Sequence, residues 1–267
     1  YSQQVPIFLW NNNLALTVCI YKFSYFHTGN IILLRFNCQR MIVFGDHEVG
    51  SVRSIFDSVV NLSMKLTKQE KITVKSYDDN ASEWSNKQLN PSYWKDELET
   101  FSKYLPTGKV IEFGCGGGRD AKPLSDFGYK YLGTDISKGF LKEAKKNNPN
   151  LKFIYKTLYK LDFKSNEFDG FWASAVFLHI PKDRMDLVLQ NIARIIRPNG
   201  VGFISVKEGA GELLENDDVE GLKRLWSYYS LEEFGSLLER NNLKILKKYS
   251  KKVSEKTTWL IYFVSNH

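Results

Sequence analysis

The amino-acid sequence predicts a doubly wound α/β fold, in which helices cover both faces of a mostly parallel sheet. The first observation is a short apolar run of strand type, Lys109–Phe113, which ends in the glycine-rich turn Gly114–Gly118 and is followed by a helical pattern. The second is an alternation of strand and helix patterns that continues as far as Val206. The third is a pair of closing strands, Lys244–Tyr249 and Thr258–Val264.

Composition indicates an ordinary globular protein with one main domain and an appendage. The 267 residues are 43% hydrophobic and 25% charged, with a formal net charge of +7. The lysines are scattered, which is typical of a solvated surface rather than of a nucleic-acid interface. Cys19, Cys38 and Cys115 form no disulfide framework, so we expect a reducing, cytoplasmic environment.

The first 63 residues differ in composition from the rest and are assigned to an N-terminal extension, with residues 64–267 forming the α/β domain. The stretch Leu14–Phe26 is apolar, but Lys22 interrupts it and it is too short to span a bilayer. No signal-peptide pattern precedes it. Two interpretations stay open: a genuine accessory segment, or upstream sequence read through in frame with Met64 as the natural start.

The turn after the first strand is typical of a phosphate- or nucleotide-binding loop, since it places free backbone amides at a helix N-terminus. Glu112, Gly114 and Gly116 belong to an E-x-G-x-G-x-G pattern. Arg119 stands where a dinucleotide-binding loop has its third glycine, and a side chain there would obstruct close packing of helix on strand. The pattern therefore disfavours a nicotinamide dehydrogenase.

In the helix that follows this turn, Ala121, Leu124 and Phe127 are expected to face inward, and Gly128 is expected to end it.

The segment Gly114–Asp120, GCGGGRD, resembles the first motif of class I S-adenosylmethionine-dependent methyltransferases, in the small methyltransferase-domain group that often reads GCGxGRD. The resemblance covers roughly residues 77–264. It implies a Rossmann-like sheet of seven strands with the last strand antiparallel, in three α/β/α layers. It also implies that S-adenosylmethionine lies across the carboxyl ends of the first two strands.

Asp135 ends the second predicted strand, Lys130–Ile136, and lies 19 positions after Gly116. A carboxylate at this spacing meets the ribose hydroxyls of an adenosine ligand. The alternative is that Asp135 only caps the next turn. The glycine turn independently predicts a ribose at this place, which favours the ligand role.

Other cofactor contacts follow from the resemblance. It places Trp84 over the pocket, with simple packing of a leading helix as the alternative, and it places Ser174 opposite the methyl group. Thr157, at the end of the third predicted strand Leu151–Thr157, stands where the family usually has the Asp that binds adenine, while the amide of Leu158 can still serve the ring. The predicted cofactor-binding residues are Trp84, Glu112, Gly114, Cys115, Gly116, Arg119, Asp135, Ile136, Thr157, Leu158 and Ser174.

Two residues are candidates for catalysis. His179 follows the fourth predicted strand, Gly170–Val176, and is the imidazole closest to the predicted site. Tyr77 belongs to the leading segment that the family resemblance places over the pocket. For both, a purely structural role is the alternative.

The region between the fifth strand and the last helix is acidic and irregular over 207–226. It leaves the carboxyl end of a strand, where open α/β sheets bind ligands, so we expect a lid or substrate loop rather than a mere connector. An amphipathic helix is predicted over Lys182–Arg197, and the capping box Ser230–Glu233 opens a helix that runs to Arg240.

The sequence therefore predicts a methyltransferase that transfers a methyl group from S-adenosylmethionine to a small molecule. The alternatives are a binding module without chemistry and a methyltransferase acting on RNA or protein. A nucleic-acid substrate is disfavoured, because Ala175–Phe177 replaces the Pro-Pro-aromatic motif of base-amino methylation. The four histidines are dispersed and no C-x-x-C occurs, so no metal is expected, and no membrane segment is expected either.

Overall fold

The computed structural model describes residues 65–88, 90–216 and 223–267 with their side chains, and 2–8, 18–28, 31–35 and 41–45 as backbone strands. The chain divides into two compact units, Tyr1–Leu66 and Thr67–His267. The predicted start at Met64 lies outside the described residues.

The first unit contains an antiparallel sheet with its strands in sequence order. The strands are β1 (Ser2–Phe8), β2 (Val18–Thr28), β3 (Ile31–Arg35) and β4 (Met41–Gly45).

The second unit is built on a seven-stranded sheet in the order β12-β13-β9-β8-β5-β6-β7. Its strands are β5 (Lys109–Phe113), β6 (Lys130–Asp135), β7 (Phe153–Tyr155), β8 (Phe168–Ser174), β9 (Ile196–Lys207), β12 (Leu243–Ser254) and β13 (Thr257–Asn266). The pairs from β7 to β9 are parallel, and β13 is antiparallel to both of its neighbours. The predicted seven-stranded doubly wound sheet with an antiparallel last strand is confirmed.

Helices precede the sheet and connect its strands. They are α1 (Lys68–Asp79), α2 (Ala81–Lys87), α3 (Lys95–Tyr104), α4 (Ala121–Asp126), α5 (Lys138–Asn147), α6 (Met185–Ile195) and α7 (Leu231–Arg240). Two short 3₁₀ turns, Phe177–His179 and Lys182–Arg184, lie between β8 and α6. The capping interactions that start α5 and α7 are present, with Ser137 accepting from the Phe140 amide and Ser230 from the Glu233 amide.

The core on one face of the sheet is aromatic. Trp172 of β8 stacks on Phe203 of β9 with ring centres 3.8 Å apart, and Phe101 of α3 meets Trp172 edge-on at 5.4 Å. Phe263 of β13 extends this layer, 5.6 Å from Phe203. Offset and edge-on ring pairs add to the free energy gained by burying apolar area. This packing holds β8, β9 and β13 rigidly behind the edge where the parallel strands end.

Three expectations about elements are wrong. Phe127 does not face inward but is 42% exposed, because α4 already ends at Asp126. The third strand covers only Phe153–Tyr155, since Thr157 begins a turn. The stretch 207–226 is not irregular, because it contains the antiparallel strands β10 (Glu212–Asn216) and β11 (Lys223–Ser227). The tip of that hairpin, 217–222, lies outside the described residues.

Candidate functional site

The glycine turn leaves β5 at the carboxyl edge of the sheet. Gly114 has a φ of +64°, and a Cβ there would come within 2.5 Å of Val176, so this glycine packs the turn against the loop after β8. Gly116 also has a positive φ, +52°, but a Cβ there would meet no atom within 4 Å. Between them, the Cys115 amide donates to the Thr134 carbonyl at 3.0 Å. The turn is therefore anchored at Gly114 and Cys115 and open above Gly116.

The carboxylate of Asp135 closes this turn from the neighbouring strand. Its two oxygens accept from the Gly116 amide at 2.9 Å and from the Ser137 amide at 2.8 Å. Burial raises the pKa of Asp135 to about 6, although the amides of Ser137, Gly116 and Ile136 act in the opposite direction. The structure thus brings Asp135, Gly116 and Ile136 together at the ends of β5 and β6.

Glu112 is enclosed below the turn and is only 2% exposed. The hydroxyl of Tyr131 on β6 donates to its carboxylate. Burial, reinforced by the negative charge of Asp120, raises the pKa of Glu112 well above its usual range. Within the described residues, the Glu112 carboxylate accepts no hydrogen bond from an amide of the glycine turn. The hydroxyl that donates to it belongs to Tyr131 on the adjacent strand.

Arg119 and Ser174 meet directly, as a shared site requires. The guanidinium forms a bidentate ion pair with Asp120, at 2.6 and 2.8 Å, and donates to the Ser174 hydroxyl at 3.0 Å. Asp120 in turn accepts from the indole of Trp172 at 3.0 Å. This chain of bonds fixes Arg119 between the glycine turn and the end of β8.

Helices α1 and α2 cover the turn. Asp78, near the end of α1, accepts from the Ser137 hydroxyl at 2.6 Å and from the Gly139 amide at 2.9 Å, so it caps the N-terminus of α5. On α2, Ser85 is 3% exposed and its buried hydroxyl oxygen has no hydrogen-bond partner. A Cβ on Gly117 would lie 2.2 Å from that oxygen. The unpaired hydroxyl therefore lies directly against the glycine turn.

Tyr77 and His179 are hydrogen-bonded to each other, 2.7 Å apart. The Nδ1 atom of His179 lies 2.7 Å from the Leu225 carbonyl, which can only accept, so Nδ1 carries the ring proton. The Tyr77 hydroxyl must then donate to Nε2, and its oxygen accepts from the Arg224 guanidinium at 2.6 Å. Burial, followed by the charge of Arg224, lowers the pKa of His179 to about 3, so the ring is neutral at physiological pH.

Arg224 also packs against aromatic rings. Its guanidinium carbon lies 4.6 Å from the centre of the Trp84 ring and 4.5 Å from that of Trp226. The ring of Tyr77 is 6.2 Å from Trp84 and 5.0 Å from Phe140, at the start of α5. The predicted residues Tyr77, Trp84 and His179 are therefore brought together beside the end of β6.

The residues predicted for the adenine lie at the end of β7. Asp135 and Tyr155 are partners in the pairing of β6 with β7, so Thr157 follows close to Asp135, where the ribose is predicted. The Thr157 hydroxyl already accepts from the Tyr159 amide at 3.3 Å, which leaves its proton to donate. Leu158 is buried, and its carbonyl accepts from Asn191.

Three residues of this region, Arg224, Asp78 and Asp120, carry no clear signal in the sequence. Arg224 stands in a charged stretch that reads as surface, and only the strand alternation of β11, with Leu225 and Trp226 beside it, hinted at burial. Asp78 lies in an acidic pair in which nothing distinguishes it from Asp79. Asp120 ends the GCGGGRD motif, but the sequence does not reveal that its carboxylate pairs with Arg119.

The described part of the chain contains no group of three or more His, Cys, Asp or Glu residues placed to hold a metal ion. Within the same residues, no helix has the length and apolar character needed to cross a bilayer. Cys115 is a buried free thiol, and burial raises its pKa well above the usual range.

Comparison with known proteins agrees with this geometry. Residues 111–204 match the family model described as a methyltransferase domain. This match and the sheet order agree with a methyltransferase domain of class I topology in the second unit.

Among curated relatives, an uncharacterised protein of Methanocaldococcus jannaschii is 31% identical over 144 residues, which is 52% of this chain and 64% of that protein. A demethylmenaquinone methyltransferase of Paenarthrobacter aurescens is 29% identical over 34% of this chain and 36% of its own length. The chain thus spans less than two thirds of the length of these relatives.

Solved structures share the fold. The 1,6-didemethyltoxoflavin-N1-methyltransferase of Burkholderia thailandensis, solved with 1,6-didemethyltoxoflavin and S-adenosylhomocysteine, matches with a TM-score of 0.58 and 18% identity, over 91% of this chain and 99% of its own. A methyltransferase of Methanosarcina mazei matches with a TM-score of 0.58 and 16% identity, over 62% and 96% of the two chains.

Proposed function

We propose that this protein is an S-adenosylmethionine-dependent methyltransferase that acts on a small-molecule acceptor. The observation that carries the proposal is the pairing of Asp135 with the open glycine turn. The Asp135 carboxylate lies at the end of β6, 2.9 Å from the Gly116 amide, and Gly116 faces free space. A carboxylate at a strand end beside an open glycine turn suits the ribose of a nucleoside cofactor.

The residues around the turn fit this cofactor. Ser85 supplies a buried hydroxyl without a hydrogen-bond partner, which a polar cofactor group can satisfy. Glu112 offers a buried carboxyl group below the turn, and a cationic amino-acid group beside it would favour its ionised form. We assign ribose binding to Asp135, adenine binding to Thr157 and Leu158, and the amino-acid part of the cofactor to Glu112, Cys115 and Arg119.

When bound, S-adenosylmethionine supplies an electrophilic methyl group, so the protein mainly has to orient the acceptor and exclude water. Tyr77 and His179 are suited to orientation. Both ring nitrogens of His179 are engaged, and the imidazole is neutral with a pKa of about 3. We therefore assign Tyr77 and His179 to positioning of the acceptor rather than to proton abstraction.

The acceptor class is supported by related proteins and by the geometry. Names among the relatives include demethylmenaquinone and ubiquinone-biosynthesis methyltransferases, and the toxoflavin enzyme shares the fold. Side chains from α1, α2 and β11 surround Tyr77, and such an enclosed place suits a small molecule better than a polymer.

Cofactor binding is tested by calorimetry with S-adenosylhomocysteine and with NAD. We expect S-adenosylhomocysteine to bind with a dissociation constant in the micromolar range, which corresponds to a binding free energy of about −8 kcal/mol. We expect NAD not to bind. Failure of S-adenosylhomocysteine to bind at millimolar concentration would overturn the proposal.

Turnover is tested separately with isotopically labelled S-adenosylmethionine and a metabolite extract. Labelled methyl groups should appear in small molecules. A protein that binds the cofactor but labels nothing in small-molecule, RNA or protein fractions would be the binding module without chemistry.

A further inference from the structure

Two adjacent asparagines at the end of α5 are hydrogen-bonded to the glycine turn. Asn147 donates through its side-chain amide to the Gly117 carbonyl at 2.9 Å. Asn148 donates in the same way to the Gly118 carbonyl, also at 2.9 Å, and its side-chain nitrogen lies 3.5 Å from the Ala144 carbonyl. Because both of these neighbours are carbonyl oxygens, which can only accept, the NH₂ group of the Asn148 amide is the group that faces the turn.

The turn lies directly against α5 at Gly118. A Cβ there would lie 2.6 Å from the side-chain nitrogen of Asn148 and 3.2 Å from the Cα atom of Ala144. Asn148 is only 9% exposed, so its hydrogen bond to the turn is shielded from water, whereas Asn147 is exposed. Loss of a shielded donor leaves a buried carbonyl unpaired, which costs more than loss of an exposed one. Asn148 is therefore the stronger of the two attachments.

The backbone of the turn needs such attachments. Gly116 and Gly118 have positive φ angles of +52° and +82°, and glycine loses more conformational freedom on ordering than any other residue. The first half of the turn is fixed by Asp135, which accepts from the Gly116 amide at 2.9 Å. The second half, Gly117 and Gly118, is fixed to α5 by the two asparagines.

The bond from Asn148 also sets the direction of the next backbone amide. In a trans peptide unit the N–H group points opposite to the C=O group, and the described residues contain no cis peptide bond. Since the Gly118 carbonyl points toward α5, the Arg119 amide points away from α5. Within the described part of the chain this amide donates to no acceptor. It is therefore free to donate to the carboxylate of the cofactor's amino-acid part, to which we assign Arg119.

We propose that Asn148, assisted by Asn147, is a positioning residue for cofactor binding, which preorganises the second half of the glycine turn for the amino-acid part of the cofactor. This inference rests on the proposed function and adds to it two residues that act through the turn. Preorganisation lowers the entropy lost on binding, so removal of these bonds weakens affinity without removing a contact to the ligand. The ribose, which we assign to Asp135, depends on them less.

The test compares two ligands by calorimetry on the full-length protein. S-adenosylhomocysteine has an adenosine and an amino-acid part, whereas 5′-methylthioadenosine keeps the adenosine and lacks the amino-acid part. Asn148→Ala should weaken S-adenosylhomocysteine binding about fivefold or more, as expected for the loss of one shielded hydrogen bond. The affinity for 5′-methylthioadenosine should change less than about twofold. Asn147→Ala should act in the same direction with a smaller loss.

Asn241 provides a matched control. It is the buried residue that follows the last turn of α7, as Asn148 is for α5. Its side-chain amide donates to the Leu237 carbonyl at 2.8 Å and to the Asp186 carboxylate at 2.7 Å. Asn241→Ala should therefore lower the thermal unfolding temperature, as Asn148→Ala does, but should keep the affinity for S-adenosylhomocysteine within about twofold of wild type.

Three results would overturn the inference. The first is that Asn148→Ala and Asn147→Ala bind S-adenosylhomocysteine like wild type. The second is that Asn241→Ala loses as much affinity as Asn148→Ala, and the third is that 5′-methylthioadenosine is weakened as strongly as S-adenosylhomocysteine. In each case wild type still binds S-adenosylhomocysteine and the proposed function stands.

Two further measurements keep the test decisive. If Asn148→Ala does not fold, judged by circular dichroism, the exposed variant Asn147→Ala decides. If 5′-methylthioadenosine does not bind wild type at millimolar concentration, the comparison of Asn148→Ala with Asn241→Ala decides. If wild type does not bind S-adenosylhomocysteine, the proposed function fails and the positioning role fails with it.

Discussion

The Asp135 carboxylate binds the glycine turn directly. One carboxylate oxygen accepts from Gly116 and the other from Ser137. Each carboxylate oxygen has a further lone pair, so the group can hold its turn and accept ribose hydroxyls at the same time. Its capping role and its ligand role, which the sequence left as alternatives, are therefore compatible.

Replacement of Asp135 should separate ligand binding from folding. Asp135→Ala removes charge-assisted hydrogen bonds worth about 1.5–3 kcal/mol each, so the affinity for S-adenosylhomocysteine should fall about tenfold or more. Asp126→Ala, at the exposed end of α4, is the matched control and should bind normally. Calorimetry measures both. An unchanged dissociation constant in Asp135→Ala would assign Asp135 to a structural role.

Cofactor binding should depend on pH through the same carboxylate. The pKa of Asp135 is raised to about 6, so the ionised form that accepts ribose hydroxyls is complete only above that value. Affinity should be constant above about pH 7 and should fall by up to about tenfold per pH unit below 6. Because the folded-state pKa exceeds the unfolded value of about 3.9, the contribution of Asp135 to the free energy of unfolding decreases as the pH rises from about 4 to 6. Asp135→Asn should abolish both dependences, and a step that persists in this variant would assign the titration to another group.

Two glycines provide a matched pair for the open turn. Gly116 and Gly128 have φ angles of +52° and +89°, and a Cβ at either would meet no atom within 4 Å. Alanine should cost a similar free energy of unfolding at both, about 1–2 kcal/mol, because of the left-handed backbone. Only Gly116→Ala should weaken S-adenosylhomocysteine binding, since only Gly116 adjoins Asp135. Urea unfolding and calorimetry test this, and equal effects on binding would show that Gly116 does not face the cofactor.

At the scale of elements, the parallel strands could be predicted because apolar runs bounded by glycine, proline and asparagine mark them clearly. The start of α1 could not, because its sequence, KQEKITVKSYDD, lacks a clear apolar stripe. The capping box formed by Thr67 and Glu70 was the signal available for this helix. Strands β10 and β11 carry charges at most exposed positions, so only their pairing reveals them.

The site residues could be predicted where they lie on strands that could be predicted, and not elsewhere. Glu112, Gly116 and Asp135 lie at strand ends, where spacing alone places them. Arg224 reaches Tyr77 only because β11 packs on α1, a contact between residues 147 positions apart. Such long-range pairings depend on tertiary packing that no local pattern encodes.

The hydrogen bonds that Asp78 of α1 accepts from the start of α5 lead to a prediction about α5. Asp78→Ala removes the acceptor for the Ser137 hydroxyl and the Gly139 amide, and a lost bond to a charged group costs about 1.5–3 kcal/mol. We expect lower thermal stability and weaker S-adenosylhomocysteine binding. Asp79→Ala, one residue further and paired with Lys75 at the surface, should leave both unchanged. Indistinguishable behaviour of the two variants would mean that the cap does not support the site.

At the scale of the whole molecule, every strand of the seven-stranded sheet lies in the second unit. We therefore predict that residues 64–267 fold and bind cofactor without residues 1–63. The shortened and full-length proteins should have the same thermal unfolding temperature and the same affinity for S-adenosylhomocysteine. Only the solubility of the shortened protein should change, and modestly. A shortened chain that is unfolded, or that binds more than about tenfold more weakly (about 1.4 kcal/mol), would show that the N-terminal region is integral.

The neighbouring residues Tyr77 and Asp78 connect the predicted acceptor position, beside His179, with the predicted cofactor position, beside Asp135. Tyr77 packs against Phe140 and is hydrogen-bonded to His179, and Asp78 accepts from the Gly139 amide at the start of α5, beside the carboxylate of Asp135. A ligand that immobilises one side of α1 lowers the entropy cost of immobilising the other. Cofactor and acceptor should consequently be cooperative partners, and thermodynamic reciprocity requires each to raise the affinity of the other by the same factor.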